Sequence, residues 1–223
     1  MDTILELLQD NMVEAVVTVV FTFVILSVGF AWGRRRMAGI SQTWETVAAT
    51  HGLNYASNPI TYDYGSLVGN QTWDYPGMEG QYRRRQVQVQ TSAGMKGREA
   101  GRFMLVATVQ LEKTAPFTAL TYKRPFNDAI RQRIKKDTKS NHKALKAFKI
   151  RSEDIDFLVN LSQTIDLSGG LKTQKFRTGQ FLFDGKWFVF EGATSGYKAS
   201  PEDAIALLDW LCDIADRVDA SSP

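Results

Sequence analysis

The chain has 223 residues, 43% of them hydrophobic, with a single cysteine and two histidines. That count excludes an internal disulfide and leaves little material for a histidine or cysteine metal centre. The net charge of +3 is zoned: residues 1–33 carry four acids and no base, residues 34–150 carry 20 bases against 8 acids, and residues 151–223 carry 7 bases against 12 acids.

From Ala15 to Gly33 there are 19 residues without a charge. At ~1.5 Å per residue the run is roughly 28 Å long, close to the ~30 Å hydrocarbon thickness of a bilayer. A cleaved signal would carry its bases before the run, whereas here acids precede it and Arg34, Arg35 and Arg36 follow. The pattern predicts an extracytoplasmic N-terminus over 1–13, a transmembrane helix over 14–33 and a basic linker over 34–41. The arginines place the following domain (42–219, with a tail at 220–223) on the cytoplasmic side, and Trp32 suits the interface. At 100° per residue Glu14, Thr18, Thr22, Ile25, Gly29 and Gly33 share one sector, and the Gly29-x-x-x-Gly33 spacing lets helix backbones approach closely. This face is expected to pack on other membrane proteins; the alternative is that Gly and Thr are simply common in membrane spans.

Beyond the linker, Ser41 or Thr43 can cap a short helix through about His51, with Trp44, Val47 and Ala48 on one side and Gly52 as its stop. Residues 54–77, rich in Asn, Gly, Pro and Tyr, read as loop with short pieces of order. Gly80 to Arg84 and Arg85 to Thr91 read as strands, the second alternating Val87 and Val89 with Gln86, Gln88 and Gln90. Ala93 to Gly101 reads as a hairpin connection to further strands over Phe103–Leu111 and Phe117–Tyr122. Pro125 opens a helix to about Lys136, a basic, poorly periodic stretch follows to Ile150, and Ser152 caps a helix burying Ile155, Leu158, Val159 and Leu161. Gly169-Gly170 reads as a break. Phe181–Phe183 and Trp187–Phe190 flank Asp184-Gly185, a strong reversal signal. Ser200-Pro201-Glu202-Asp203 opens a last helix to about Asp219, burying Ile205, Leu208, Leu211, Cys212 and Ala215. The expected class is α+β: an N-terminal transmembrane helix, then an antiparallel sheet with helices packed on one face.

Chemistry is sparse. Cys212 lies on the apolar side of its helix and reads as a core thiol. Neither histidine has a neighbour that suggests a triad, Gly192-Ala193-Thr194-Ser195-Gly196 lacks the nucleophile-elbow spacing, and Gly94–Arg98 lacks the phosphate-loop order. Asp209, Asp213 and Asp216 share a helix face but lack the ligands from several elements that a metal needs. No catalytic residue, metal or cofactor is expected. The basic set Arg131, Arg133, Lys135, Lys136, Lys139, Lys143, Lys146, Lys149 and Arg151 suits anionic headgroups; the alternative is a solvated loop, or a surface that pairs with acids of the same domain such as the Asp trio. Nucleic acid is not expected, since no recognition motif is present. Phe181, Phe183, Phe188 and Phe190 share one face, as core or as the wall of an apolar pocket.

The succession of a membrane span, a helix ending His51-Gly52-Leu53, the segment Gly80–Val87, the segment Phe183–Gly192 and a closing helix resembles a loose group of bacterial single-pass membrane-anchored proteins of unknown function. The resemblance implies a bacterial source, hence an inner, photosynthetic or energy-transducing membrane, and transfers no activity. The expected role is a non-enzymatic accessory, assembly or scaffold subunit of a larger membrane complex. The alternatives are a surface module binding anionic lipid or an apolar ligand, and an unrecognised enzyme.

Overall fold

A computed structural model describes residues 21–23, 41–60, 75–93, 103–123, 125, 128–139, 142–194 and 200–221. The chain divides into two compact units, residues 1–43 and 44–223.

In the first unit, residues 21–23 are helical, with Phe21 and Phe23 exposed. No helix of the described residues is long and apolar enough to cross a membrane. This corrects the expected transmembrane helix, and with it the single-pass anchoring, the orientation and the placement in a bacterial membrane. Hydropathy measures only the length of an apolar run, and an apolar run of spanning length is not by itself a spanning helix. Of the expected packing face, Thr22 is described; Glu14, Thr18, Ile25, Gly29 and Gly33 lie outside the described residues, as do Trp32, Arg34, Arg35 and Arg36.

The second unit is an antiparallel sheet clasped by helices. The first helix, α1, covers residues 41–50 and buries Trp44 and Ala48. It ends as expected at Gly52, whose φ of +71° is left-handed. The Gly52 amide donates to the Ala49 carbonyl at 3.2 Å and the Leu53 amide to the Ala48 carbonyl at 2.8 Å, which satisfies two of the last orphan carbonyls. Leu53 is buried behind the cap and leads into β1 (Asn54–Ser57), which pairs with β2 (Pro76–Tyr82).

Tyr82 and Arg85 close a two-residue turn from β2 into β3 (Arg85–Ala93). Both turn residues, Arg83 and Arg84, have positive φ, +48° and +68°. Turns of this hand favour Asn-Gly, because a side chain there costs about 1–2 kcal/mol per residue. Val87 and Val89 are fully buried on one side of β3, as their alternation predicts.

Two long runs follow, β4 (Phe103–Tyr122) and β6 (Phe176–Thr194), with β5 (Phe148–Ser152) between them in sequence. The first half of β4 lies between β3 and the second half of β6; its second half lies between β5 and the first half of β6. Phe181 and Phe190 are nine residues apart, about 30 Å in a straight strand, yet their ring centroids are 5.0 Å apart. The β6 run is therefore sharply bent near Asp184–Trp187, where Gly185 has φ +61° and faces Ala115 of β4. The expected hairpin turn at Asp184-Gly185 is corrected: one strand runs through it, paired with β4 on both sides of the bend. The expected gap between two strands at 111–117 is likewise one continuous run, with register shifts around that bend.

One face of the sheet carries Val87, Leu105, Ala107, Val109, Leu120, Phe181, Phe183, Phe188 and Phe190. Against it pack α3 (Ile155–Thr164), α4 (Leu167–Thr173) and α5 (Pro201–Ser221). The other face carries Phe117, Ala119, Leu182 and Val189, packed against Ile130 of α2 (Asp128–Arg133). The expectation of helices on one face is thus corrected: α2 holds the opposite side, because alternation buries a second apolar set there. Several boundaries differ as well: α2 covers Asp128–Arg133 instead of reaching from Pro125 to Lys136, and β2 covers Pro76–Tyr82 instead of Gly80–Arg84. The basic stretch contains β5, with Phe148 and Ile150 buried. Asp154, not Ser152, caps α3, accepting from the amides of Asp156 and Phe157 at 2.9 and 3.1 Å. Gly169-Gly170 lies inside α4, where the Trp210 ring rests on Gly170.

Candidate functional site: a basic groove

The helix α5 begins with the expected cap: the Asp203 amide donates to Ser200 Oγ at 3.1 Å and the Ser200 amide returns to Asp203 Oδ2 at 3.1 Å. Downstream, Asp209, Asp213, Asp216 and Asp219 are three or four residues apart and so share one stripe. The β2–β3 turn meets that stripe. Arg83 reaches Asp213 at 2.7 Å and Asp216 at 3.3 Å, and donates to the Asp209 carbonyl at 3.1 Å. Tyr82 donates its hydroxyl to Asp209 Oδ1 at 2.9 Å; burial, then that hydrogen bond, push the phenol up to about 12.

Arg85 is the buried member of the cluster, 4% exposed. It contacts Asp216 and Asp219, each at 2.7 Å, and donates to the Gln110 carbonyl at 3.0 Å. Asp219 also accepts from the amides of Glu112 and Lys113, at 3.1 and 2.8 Å. Burial opposes the guanidinium charge, but the hydrogen bonds to Asp216 and Asp219 outweigh it and hold the pKa above its usual value. The ion pairs join β3, β4 and α5. They explain why Arg83 occupies the turn despite its positive φ, and they assign the Asp stripe a structural duty.

The nine predicted basic residues fall into two groups. Arg133 and Arg151 are tied into the fold. Arg133 lies 3.8 Å over the Phe117 ring and reaches Asp184 at 2.9 Å and Glu153 at 3.6 Å, pinning α2 to the bend of β6. Arg151 pairs with Asp137 at 2.8 Å and donates to the Ile134 carbonyl at 2.6 Å. The others, Arg131, Lys135, Lys136, Lys139, Lys143, Lys146 and Lys149, are exposed. Three of them, Arg131, Lys135 and Lys149, join Pro125, Asp137 and Arg151 in lining a groove of about 360 Å³. Four cationic side chains thus meet one carboxylate, and Arg151 already holds that carboxylate.

Other chemistry is quieter. Burial, the largest influence, pushes the fully buried Cys212 thiol up to about 11, away from the thiolate form a nucleophile needs. Ser162 Oγ lies 2.9 Å from His142 Nδ1, a contact the sequence does not reveal. The same hydroxyl also lies 2.8 Å from the Val159 carbonyl, to which it donates. Among the described residues no group of His, Cys, Asp or Glu could hold a metal ion. The aromatic face is filled: Phe183 and Phe188 stack at 4.5 Å, Phe176 meets Phe190 at 4.9 Å, and Trp210 closes on Phe181 and Phe190 at 5.7 and 5.8 Å.

No family model matches the chain, and no curated protein matches it. A solved structure, that of the mycobacterial trehalose monomycolate transport factor A, TtfA, is similar over 80% of this chain and 96% of that one, with 10% identity and a TM-score of 0.48. A likeness of that size says nothing about function.

Proposed function

We propose that the chain is a non-enzymatic accessory module that binds an anionic group of its partner in the groove between α2 and β5. The observation that carries this reading is that Lys135 and Lys149, both exposed, come together in the lining of that groove beside two arginines. Clustered like charges repel one another, so the two lysines suit an external anion. The filled aromatic core supports a surface site over an interior one.

The test is full-length chain carrying Lys135→Glu with Lys149→Glu, run on heparin as a polyanion probe. At ~1 kcal/mol per lysine, losing both contacts weakens binding roughly 30-fold at low salt, and retention of either chain falls as salt rises. Equal retention of the reversed and parent chains refutes the reading.

A further inference from the structure

We infer that the anion received by the groove is the dianionic phosphoryl group of a phosphate monoester, held by Lys135, Lys149 and the neighbouring Lys139. This deepens the anion-binding reading and rests on it. The Thr138 amide donates to the Ile150 carbonyl at 2.7 Å, an antiparallel bridge on the edge of β5 away from β4. On one side of the bridge Asp137 meets Arg151 at 2.8 Å. On the other side the same register sets Lys139 beside Lys149. Both lysines are exposed, and like charges directly opposite one another destabilise such a pair. Asp137, Lys149 and Arg151 line the groove, and so does Lys135. Lys139 shares their side, because alternate residues of an extended chain point the same way.

One opposed pair at the rim of β5 is thus an ion pair and the other is two cations. A carboxylate or a phosphate diester carries one negative charge and offsets one ammonium group. A phosphate monoester carries about −1.5 to −2 at neutral pH, with three strong acceptor oxygens. It offsets two ammonium groups and presents one oxygen to each of the three lysines, and its attraction grows with the product of the charges. Arg151, whose planar fork would favour a carboxylate, is engaged by Asp137 and the Ile134 carbonyl. The groove, about 360 Å³, has room for the group. None of its six lining residues is aromatic, so a nucleobase finds no stacking partner there.

Ethyl phosphate and ethyl sulfate match in shape and differ by one charge, so they are the probes for ¹⁵N-labelled full-length chain, with the Ile150 amide signal as the reporter. Ethyl phosphate is expected to bind at least about fivefold more tightly than ethyl sulfate. Lys135→Gln with Lys149→Gln, both on exposed side chains, should weaken it at least about tenfold. Sedimentation with phosphatidic acid vesicles, set against phosphatidylglycerol vesicles, distinguishes the sources. A lysine-dependent preference for phosphatidic acid assigns the monoester to a lipid headgroup; selective ethyl phosphate binding without it assigns a free ester. Absence of binding by both ethyl phosphate and phosphatidic acid, equal affinity for the singly charged counterparts, or affinity unchanged by the lysine substitutions overturns the phosphoryl site. If Lys135→Glu with Lys149→Glu still weakens heparin retention, the groove reading stands without it. If that reversal also changes nothing, both fall.

Discussion

Replacing Arg85 by methionine tests whether the ion pairs on α5 hold the fold together. The change keeps most of the buried stem and removes the guanidinium. Three contacts are lost, of unequal weight. The bond to Asp216 counts for little, about 0–1 kcal/mol, because that carboxylate is half exposed and keeps Arg83. The Gln110 carbonyl loses a donor, worth about 1 kcal/mol. Asp219 is the costly partner: it is 9% exposed and would keep its charge with only the Glu112 and Lys113 amides to stabilise it. Breaking a buried pair from one side costs about 3–5 kcal/mol. The two retained amides argue for the lower part of that range, so we expect about 4–5 kcal/mol in total, a large share of the ~5–15 kcal/mol typical of a domain. Urea denaturation reads it as a lower midpoint at unchanged slope. Asp219→Asn should cost much less in the Arg85→Met background than in the parent, because the stranded charge is then gone. A loss below about 1 kcal/mol for Arg85→Met, or equal cost of Asp219→Asn in both backgrounds, would refute the reasoning.

Two further predictions concern packing and pH. A Cβ at Gly170 would lie 2.4 Å from the Trp210 ring, so Gly170→Ala should destabilise by about 1–3 kcal/mol in the same urea assay; adding Trp210→Phe should recover part of the loss. Tyr82 rises from 10.0 to about 12 and Cys212 from 9.0 to about 11. The native state therefore keeps protons that the unfolded chain releases, and this contribution is complete below pH ~9 and declines as pH rises through roughly 9–12. Thermal melting across that range should show the decline, and Tyr82→Phe should flatten its upper part.

The local chemistry of the chain was legible without coordinates. Ser200-Pro201 and Gly52 mark helix ends because capping depends on residues within one turn. Val87 and Val89 declare a buried face because strand alternation has period two. Asp184-Gly185 marks the place where β6 bends, although the hairpin it suggests does not form. The uncharged run before Arg34 was a different matter: a count of apolar residues measures length, and length alone did not yield a spanning helix among the described residues.

Tertiary structure decided which charges are spent and which remain. Asp209, Asp213, Asp216 and Asp219 form a stripe in any helical reading, but only the fold brings Arg83 and Arg85 onto it. Arg133 and Lys135 look alike in sequence, yet one is held over Phe117 and the other lines an open groove. Lys149, Thr121 and Gln180 share a row only because β4 pairs with strands on both sides. Caps, turns and alternation are set by neighbours along the chain, so the sequence determines them by itself. Charge pairing and shared rows depend on residues from 14 to more than a hundred positions apart, whose meeting is an outcome of packing.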